Sequence, residues 1–275
     1  MKSTNLTIKN HNNVQYIQFQ HLEASGLVLH GFSTKHGGVS RDQYASMNLS
    51  FTKGDAAISV KENFLRFTEA IGVEGDSLVL SDQIHATEIR RVDLGDRGKG
   101  YDRPSDIIGV DGLITNEPGL TLTTFYADCV PLFFLDPVNK AIGLSHAGWR
   151  GTVNGIGPKT VREMTKAFGT NPSDLLVGIA PSIGPCCYEV TEDVIMVFEK
   201  KTNRVIIDKI VQRVDQTHYM LDLWEGNKQL LMGAGVDETN IVLTDLCTKC
   251  NHEDFYSHRV MGANRGSLAA MMALR

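Results

Sequence analysis

Two apolar segments of this chain end next to side chains that can bind metal ions or act as nucleophiles. Cys129 follows the segment 120–126, and His146 follows the segment 141–145. His85 lies just beyond a third apolar run. None of these residue types is needed to build a strand, so we expect all three to take part in chemistry. One thiolate and two imidazoles suit Zn(II), and three protein ligands would leave a fourth position open for water or substrate. The pattern therefore predicts a catalytic zinc site.

The spacing of these three residues does not force them together, because it lacks the short CxxC or HxxxH separations of compact metal motifs. Taken one at a time, Cys129 is more often a small buried hydrophobe. His85 and His146 are likewise more often ordinary core or loop histidines. Because three strand ends present such side chains, a shared site is favoured over three separate structural residues. Only the fold could bring the three together.

The segment 148–151, Gly-Trp-Arg-Gly, follows directly and allows two interpretations. Its glycines would let the backbone pass close to a ligand, and Arg150 could bind a phosphate or carboxylate with its forked guanidinium. The same residues are equally compatible with a tight turn before a helix that has Pro158 in its first turn. Upstream, the polar loop 33–48 is longer than a simple connector and could form one wall of a pocket, or be a solvated loop.

The chain contains five cysteines, an odd number, and its N-terminus is polar without an apolar signal region. We therefore expect reduced thiols or metal ligands and no disulfide framework. Cys186 and Cys187 are interpreted as packing residues, since no base lies near them in sequence. Cys247 and Cys250, with His252, superficially resemble a zinc knuckle. No second CxxC is present, so a structural metal site there is the less favoured interpretation.

The composition is that of an ordinary globular protein. With 275 residues, 42% hydrophobic residues and 21% charged residues, the chain can bury a sizeable core. The net charge of −5 argues against a nucleic-acid binder and is compatible with an enzyme for small molecules. No segment approaches the ~18 apolar residues of a membrane span. We expect a cytoplasmic protein that forms one domain, 1–275, because no repeat or long linker divides it.

Periodicity predicts several amphipathic helices. Apolar residues spaced three or four apart predict a helix that includes Val60 and ends at Gly72. A second helix, with Pro158 in its first turn, is expected to end at Gly169. Further helices are expected to start near Thr191 and Asp222, residues of types that cap N-termini.

Apolar runs predict ten strands, many of them buried on both faces. They are 27–32, 78–81, 89–94, 112–115, 120–126, 131–135, 141–145, 175–179, 205–207 and 241–244. Hairpin-like pairs are expected between 120–126, 131–135 and 141–145. Because hairpins mix with strand–helix alternation, the order indicates mixed sheets covered by helices and not a doubly wound fold.

Taken together, these segments resemble the YfiH-like family, historically named laccase-domain or polyphenol oxidase proteins and described as purine nucleoside phosphorylases with adenosine deaminase activity. The resemblance covers nearly the whole chain. It depends on the motifs His36-Gly37-Gly38 with Met47-Asn48-Leu49, Gln83-Ile84-His85, Asp128-Cys129-Val130-Pro131, His146-Ala147-Gly148-Trp149-Arg150-Gly151, Ile183-Gly184-Pro185-Cys186-Cys187-Tyr188-Glu189-Val190 and Asp245-Leu246-Cys247-Thr248. The chain departs from the family's usual Ser-Tyr-Arg and Thr-Gly-Arg at 257–259 and 263–265, where it keeps both arginines.

The resemblance implies an α+β fold, a layered α/β/β/α sandwich with mixed sheets, similar to the catalytic domain of cytotoxic necrotizing factor toxins. It implies that His85, Cys129 and His146 bind Zn(II). The implied reactions are cleavage of inosine, guanosine, adenosine or methylthioadenosine by phosphate, and deamination of adenosine. The expected partners are thus purine nucleosides and phosphate, with no nucleic acid or membrane, and the protein is expected to be a monomer or a weak homo-oligomer.

Further roles at this site are predicted by position. Asp128, beside Cys129, is expected to orient a ligand or move a proton. The predicted catalytic residues are Asp128, Cys129, His146 and Arg150. Arg150 and Arg41 are expected to hold phosphate. Two amide side chains are expected to face the base or ribose, namely those of Asn48 and Gln83.

Three other functions compete with this one. A copper-dependent polyphenol oxidase is disfavoured, because the chain has nine histidines and no His-x-His pair for multicopper chemistry. A cysteine hydrolase or deamidase would use Cys129 as nucleophile and His146 as base, which excludes metal binding by the same sulfur. A metal-binding scaffold without catalytic activity is not supported, because the sequence contains no exposed amphipathic helix or tail that would bind a partner.

Overall fold

The computed structural model describes residues 1–275 and contains two six-stranded sheets, a small third sheet and eight α-helices. The strands are β1 Thr7–His11, β2 Val14–Gln18, β3 Val28–Ser33, β4 Leu78–Leu80, β5 Ile89–Arg91, β6 Gly112–Thr115, β7 Thr121–Tyr126, β8 Val130–Asp136, β9 Ala141–Ala147, β10 Leu176–Ile179, β11 Glu189–Thr191, β12 Val211–Arg213, β13 His218–Leu221, β14 Ile241–Leu243 and β15 Leu268–Leu274. The helices are α1 Gln20–Ala24, α2 Ala57–Ile71, α3 Trp149–Val153, α4 Ile156–Phe168, α5 Glu192–Lys201, α6 Arg204–Ile210, α7 Leu223–Gly233 and α8 His258–Met261.

Both large sheets mix parallel and antiparallel pairs. The first sheet has the order β1-β2-β3-β15-β7-β4, and the second has the order β14-β10-β8-β9-β6-β5. Only the edge pairs β4–β7, β5–β6 and β10–β14 are parallel. The third sheet, β11-β13-β12, is antiparallel. The prediction of mixed sheets is confirmed.

Successive side chains along a strand point to opposite faces of the sheet and so contact different layers. On β8, Phe133 and Leu135 belong to the core between the two sheets, whereas Leu132 and Phe134 face the helical layer. This period of two is expected for a strand with buried residues on both faces. On the outer face of the first sheet, α2 packs through Phe64 and Phe67. The order of layers is therefore helix, sheet, sheet, helices, as predicted for an α/β/β/α sandwich.

The helix predictions are confirmed where glycine or a capping residue marks the end. Helix α2 ends at Gly72 and α4 at Gly169, and both glycines are left-handed, with φ of 81° and 74°. This conformation closes a helix C-terminus at little cost in glycine. Helix α5 follows Thr191, and α7 follows Asp222, whose carboxylate accepts the first free backbone N–H groups. No helix is long and apolar enough to cross a bilayer.

Two predictions about strands are wrong. The segment 205–207 lies in helix α6, which begins after the capping side chain of Asn203 and buries Ile207 and Ile210, three residues apart, against the helical layer. The segments 120–126 and 131–135 do not form a hairpin, since β7 belongs to the first sheet and β8 to the second. The chain crosses between the sheets just before Cys129.

Candidate metal centre

The crossing between the sheets brings together the three predicted ligands. Cys129 lies between β7 and β8, His146 lies near the end of β9, and His85 lies in the loop after β4. Their ligand atoms all lie within 4.8 Å of one another. The Cys129 Sγ and His85 Nε2 atoms are 3.8 Å apart, and the ring centres of the two histidines are 4.8 Å apart.

A fully buried carboxylate, Asp111, holds both histidines in place. Its Oδ1 atom lies 2.8 Å from Nδ1 of His146. The same carboxylate accepts the backbone N–H groups of Ile84, His85 and Ala86 at 2.9–3.1 Å. These bonds fix a loop in which His85 has a φ of 64°, an uncommon conformation for a residue with a side chain. A carboxylate on the far nitrogen of a histidine is the usual support of a metal-binding imidazole.

Asp111 is not among the residues predicted from the sequence. The available signal was an acidic residue directly before the apolar strand β6, where a carboxylate would be buried at a strand end. Buried carboxylates are rare unless they are paired, so the position indicates a partner. The identity of that partner, His146, depends on the pairing of β6 with β9.

Gly148 is required by the close approach of the ligands. A Cβ atom at this position would lie 3.0 Å from the ring of His85 and 3.1 Å from the Cys129 sulfur. Gly148 also precedes helix α3, so the segment both starts a helix and passes close to the site. The interpretation of this segment as the start of a helical region is confirmed, whereas binding of a phosphate or carboxylate by Arg150 stays a prediction.

The thiol and the imidazole at the site stabilise each other's charge. Burial disfavours both charged forms, but the attraction between the two groups lowers the pKa of the Cys129 thiol and raises that of His146. Asp111 adds to the rise in the pKa of His146. A thiol of lowered pKa is available as a thiolate, the form that binds metals or attacks carbon.

These donors fit a zinc ion. Zinc bonds of about 2.3 Å to sulfur and 2.0–2.1 Å to nitrogen place the two donors about 3.6 Å apart in a tetrahedron. The distance of 3.8 Å between the Cys129 sulfur and the His85 nitrogen agrees with that separation. The site thus offers three protein ligands of the types that zinc prefers.

The three ligands line a cavity of about 660 Å³, within the range typical of small-molecule sites. Half-buried aromatic rings form part of its wall, including those of Phe51 and Phe125. Gln83 and Arg150 also line the cavity. The amide of Gln83 bonds to the backbone N–H and C=O of Phe125, so its orientation is fixed.

The cavity wall holds four cations that form no ion pair, namely Lys53, Arg150, Arg259 and Arg265. Arg265 has a buried Nε with no hydrogen-bond partner. Burial, followed by the positive charge of Arg265, lowers the pKa of Lys53. An anionic ligand would offset the positive charge of this wall.

Other predicted residues lie elsewhere. Arg41 is exposed and does not line the cavity. Asn48 is fully buried, and its side-chain oxygen accepts the backbone N–H groups of Ser50 and Ser267. No residue of the loop 33–48 lines the cavity. The wall is formed instead by the segment directly after that loop.

Asp128 lines the cavity, but its side chain is bonded to the protein. It accepts the hydroxyl groups of Thr248 at 2.6 Å and Ser257 at 3.0 Å, and the backbone N–H of Arg259 at 2.7 Å. Its φ of 82° is uncommon for a residue with a side chain. These bonds stabilise the turn that presents Cys129, and a role in proton transfer stays a prediction.

Comparison with known proteins agrees with this site. Residues 29–275 match the family described as multi-copper polyphenol oxidoreductase laccase. The chain belongs to this family. It is 37% identical to the purine nucleoside phosphorylase YlmD of Geobacillus stearothermophilus over 244 residues, an alignment that covers 88% of each chain. It is 34% identical to the adenosine deaminase RL5 of an unknown prokaryotic organism, over 86% of this chain and 90% of that protein.

The fold closely matches that of a solved structure. The crystal structure of the Bacillus licheniformis hypothetical protein YfiH matches with a TM-score of 0.90 and 32% identity, over 98% of this chain and 99% of that chain. The resemblance inferred from the sequence is confirmed. The likeness to the toxin catalytic domain stays a prediction.

Proposed function

We propose that this family member is a zinc-dependent enzyme that cleaves purine nucleosides with phosphate and also deaminates adenosine. The observation that best supports this proposal is one cavity that joins a Cys/His₂ centre to four cations without carboxylate partners. Relatives named for phosphorolysis and for deamination of nucleosides support the same class of enzyme. Inosine, guanosine, adenosine and methylthioadenosine are the proposed substrates.

The cations would hold the phosphate. Guanidinium groups bind phosphate through two parallel hydrogen bonds, and the buried Nε of Arg265 is a donor without a protein partner. Arg150 stacks on Trp149, with its guanidinium carbon 4.3 Å from the ring centre, which limits its motion at the cavity rim. In phosphorolysis a phosphate oxygen bonds to the anomeric carbon while the bond to the base breaks, and the base leaves with the electron pair and gains a proton.

The apolar wall would hold the base. The rings of Phe51 and Phe125 line the cavity, and a flat purine can stack on such rings. Gln83 has both ends of its amide committed to the backbone of Phe125, so it would position that ring more than read the base directly. This role replaces the predicted contact of Gln83 with base or ribose in the present proposal.

His85, Cys129 and His146 would hold the zinc, which acts as a Lewis acid and lowers the pKa of water to about 7 when bound. Asp111 would keep the proton of His146 on Nδ1, so that Nε2 is free to face the ion. Asp128 would fix the turn before Cys129. The same centre would serve both reactions, with phosphate present for cleavage and water for deamination.

A cysteine hydrolase is the second candidate, because Cys129, His146 and Asp111 have the order of groups found in a nucleophile, base and orienting acid. His85 argues against it, since a third donor beside the thiol is superfluous for a nucleophile and suitable for a metal. A multicopper oxidase is less well supported, because only one of the two clusters of potential ligands contains histidine.

Incubation of the zinc-loaded protein with inosine, with and without phosphate, tests the proposal. We expect hypoxanthine and ribose 1-phosphate only with phosphate, and inosine from adenosine without it, as measured by liquid chromatography. Cys129→Ala should abolish both, whereas Arg162→Ala, an exposed arginine on α4, should not. Turnover that persists in metal-free protein and is blocked by a thiol reagent would instead support the hydrolase.

A further inference from the structure

The four cysteines that the centre does not use lie together at a second place in the fold. Cys186 and Cys187 are in the loop between β10 and β11, and Cys247 and Cys250 are in the loop after β14. All four sulfur atoms lie within 4.8 Å of one another. We call this group the four-cysteine cluster.

The distances suit a shared ion better than a pair of disulfides. The sulfur of Cys250 lies 3.5 Å from that of Cys186 and 3.4 Å from that of Cys187, so it favours neither partner. In a tetrahedral zinc site with bonds of about 2.3 Å, neighbouring sulfurs are about 3.8 Å apart. In a disulfide they are about 2.0 Å apart.

Backbone hydrogen bonds hold the two loops of the cluster in place. The N–H of Gly184 donates to the buried Cys247 sulfur at 3.2 Å. The Cys247 carbonyl accepts both the backbone N–H and the side-chain amide of Asn251, which closes the turn that brings Cys250 back toward Cys247. Two backbone segments meet here, since Thr248 N–H donates to the Ser182 carbonyl at 2.9 Å.

Burial does not account for the cluster. Cys186 and Cys250 are exposed, so the interpretation of Cys186 as a packing residue is wrong. The second CxxC that the sequence lacks is supplied by the adjacent pair Cys186-Cys187, which the fold places opposite Cys247 and Cys250. Four sulfur donors select zinc or an iron–sulfur centre, and a set of four protein ligands is typical of a structural zinc site.

We propose that the four-cysteine cluster binds a second, structural zinc ion that orders one wall of the cavity. Both halves of the cluster are linked to Asp128, the neighbour of Cys129. Ile183 N–H donates to the Asp128 carbonyl at 2.9 Å, and the Thr248 hydroxyl donates to its carboxylate at 2.6 Å. An ion at the cluster would tie these two segments together and hold the turn that presents Cys129.

Metal content and cobalt spectra test this site without any assay of activity. We expect about two zinc ions per chain in the wild type, and about one each in Cys250→Ser and Cys129→Ala. With Co(II) in place of zinc, the wild type would have about five cobalt–sulfur bonds, four at the cluster and one at Cys129. The sulfur-to-cobalt absorbance should therefore fall by about four-fifths in Cys250→Ser and by about one-fifth in Cys129→Ala.

The two variants serve as controls for each other, and the wild-type spectrum alone decides the point if Cys250→Ser does not fold. A single zinc ion that Cys129→Ala removes completely would overturn the proposal. Bound iron, or a native mass lower by two hydrogens that shows a disulfide in the cluster, would also overturn it. These results do not depend on which nucleoside the first centre processes.

Discussion

Nδ1 of His146 lies 2.8 Å from Oδ1 of Asp111, and both groups are almost completely buried. This pair directs the other ring nitrogen of His146 toward Cys129. The same carboxylate holds the loop that presents His85 through three backbone N–H groups. One buried acid therefore sets the positions of two of the three ligands, although it is not itself a ligand.

Asp111→Asn should weaken zinc binding by about 10- to 100-fold, because the amide cannot stabilise the imidazole as a carboxylate does. A competition titration with a chromophoric chelator measures this change. Asp136→Asn is the matched control, since Asp136 is also fully buried and accepts backbone N–H groups, but at a turn outside the cavity. Equal zinc affinity in Asp111→Asn and the wild type would show that the pair does not support the metal.

Gly148→Ala should lower the zinc content of the first centre. The added methyl would lie 3.0 Å from the His85 ring and 3.1 Å from the Cys129 sulfur, and ligands of a bound ion cannot move aside freely. Gly233→Ala, at the end of α7, has no atom within 4 Å of the new methyl and should bind zinc normally. Metal analysis after gel filtration compares the two variants, and full zinc occupancy in Gly148→Ala would contradict the steric argument.

The sequence is sufficient to locate much of this site because the ligands follow strands that are clearly apolar. Helices α2 and α4 are also predictable, since each combines an amphipathic face with a terminal glycine. Strand β15, at the centre of the first sheet, was not predicted. Its alanines and methionines favour helix, and only pairing with β3 and β7 makes it a strand.

Contacts between distant segments account for what the sequence could not show. Asp111 becomes important only when β6 pairs with β9, and the four-cysteine cluster forms only when the loops after β10 and β14 meet. The sequence indicates Arg265 only as an arginine that the family shares, and nothing in its local sequence indicates a cavity. Asn48, in contrast, belongs to a recognisable motif, yet it lies outside the cavity lining, as does Arg41 in the same loop.

The folded protein should lose stability below pH 6.5 partly through His30. Burial, followed by the charges of His21 and Lys9, lowers the pKa of His30 to about 3, and its Nε2 accepts the Phe19 N–H at 2.9 Å. Between these two pKa values, His30 is protonated in the unfolded chain, where its pKa is about 6.5, but neutral in the folded chain. Between pH 7 and pH 5 this costs about 2 kcal/mol.

Urea unfolding of the wild type and His30→Gln at both pH values measures this contribution. Glutamine keeps a neutral acceptor for Phe19 but does not titrate, so the variant should lose about 2 kcal/mol less than the wild type on acidification. Loss of zinc at low pH affects both proteins alike and cancels in the difference. The same acid sensitivity in both proteins would show that His30 can accept a proton in the folded state.

Arg265→Ala should raise the KM for phosphate by about 10- to 100-fold, because a hydrogen bond to a charged group contributes about 1.5–3 kcal/mol. The KM for inosine should change much less, since the guanidinium is proposed to bind the phosphate and not the nucleoside. Arg265→Lys keeps the positive charge but loses the forked guanidinium, so its KM for phosphate should lie between those of the wild type and Arg265→Ala. Arg162→Ala, which removes an exposed arginine outside the cavity, should leave both constants unchanged. Equal effects of Arg265→Ala on both substrates would show that the side chain supports the cavity wall and does not bind phosphate.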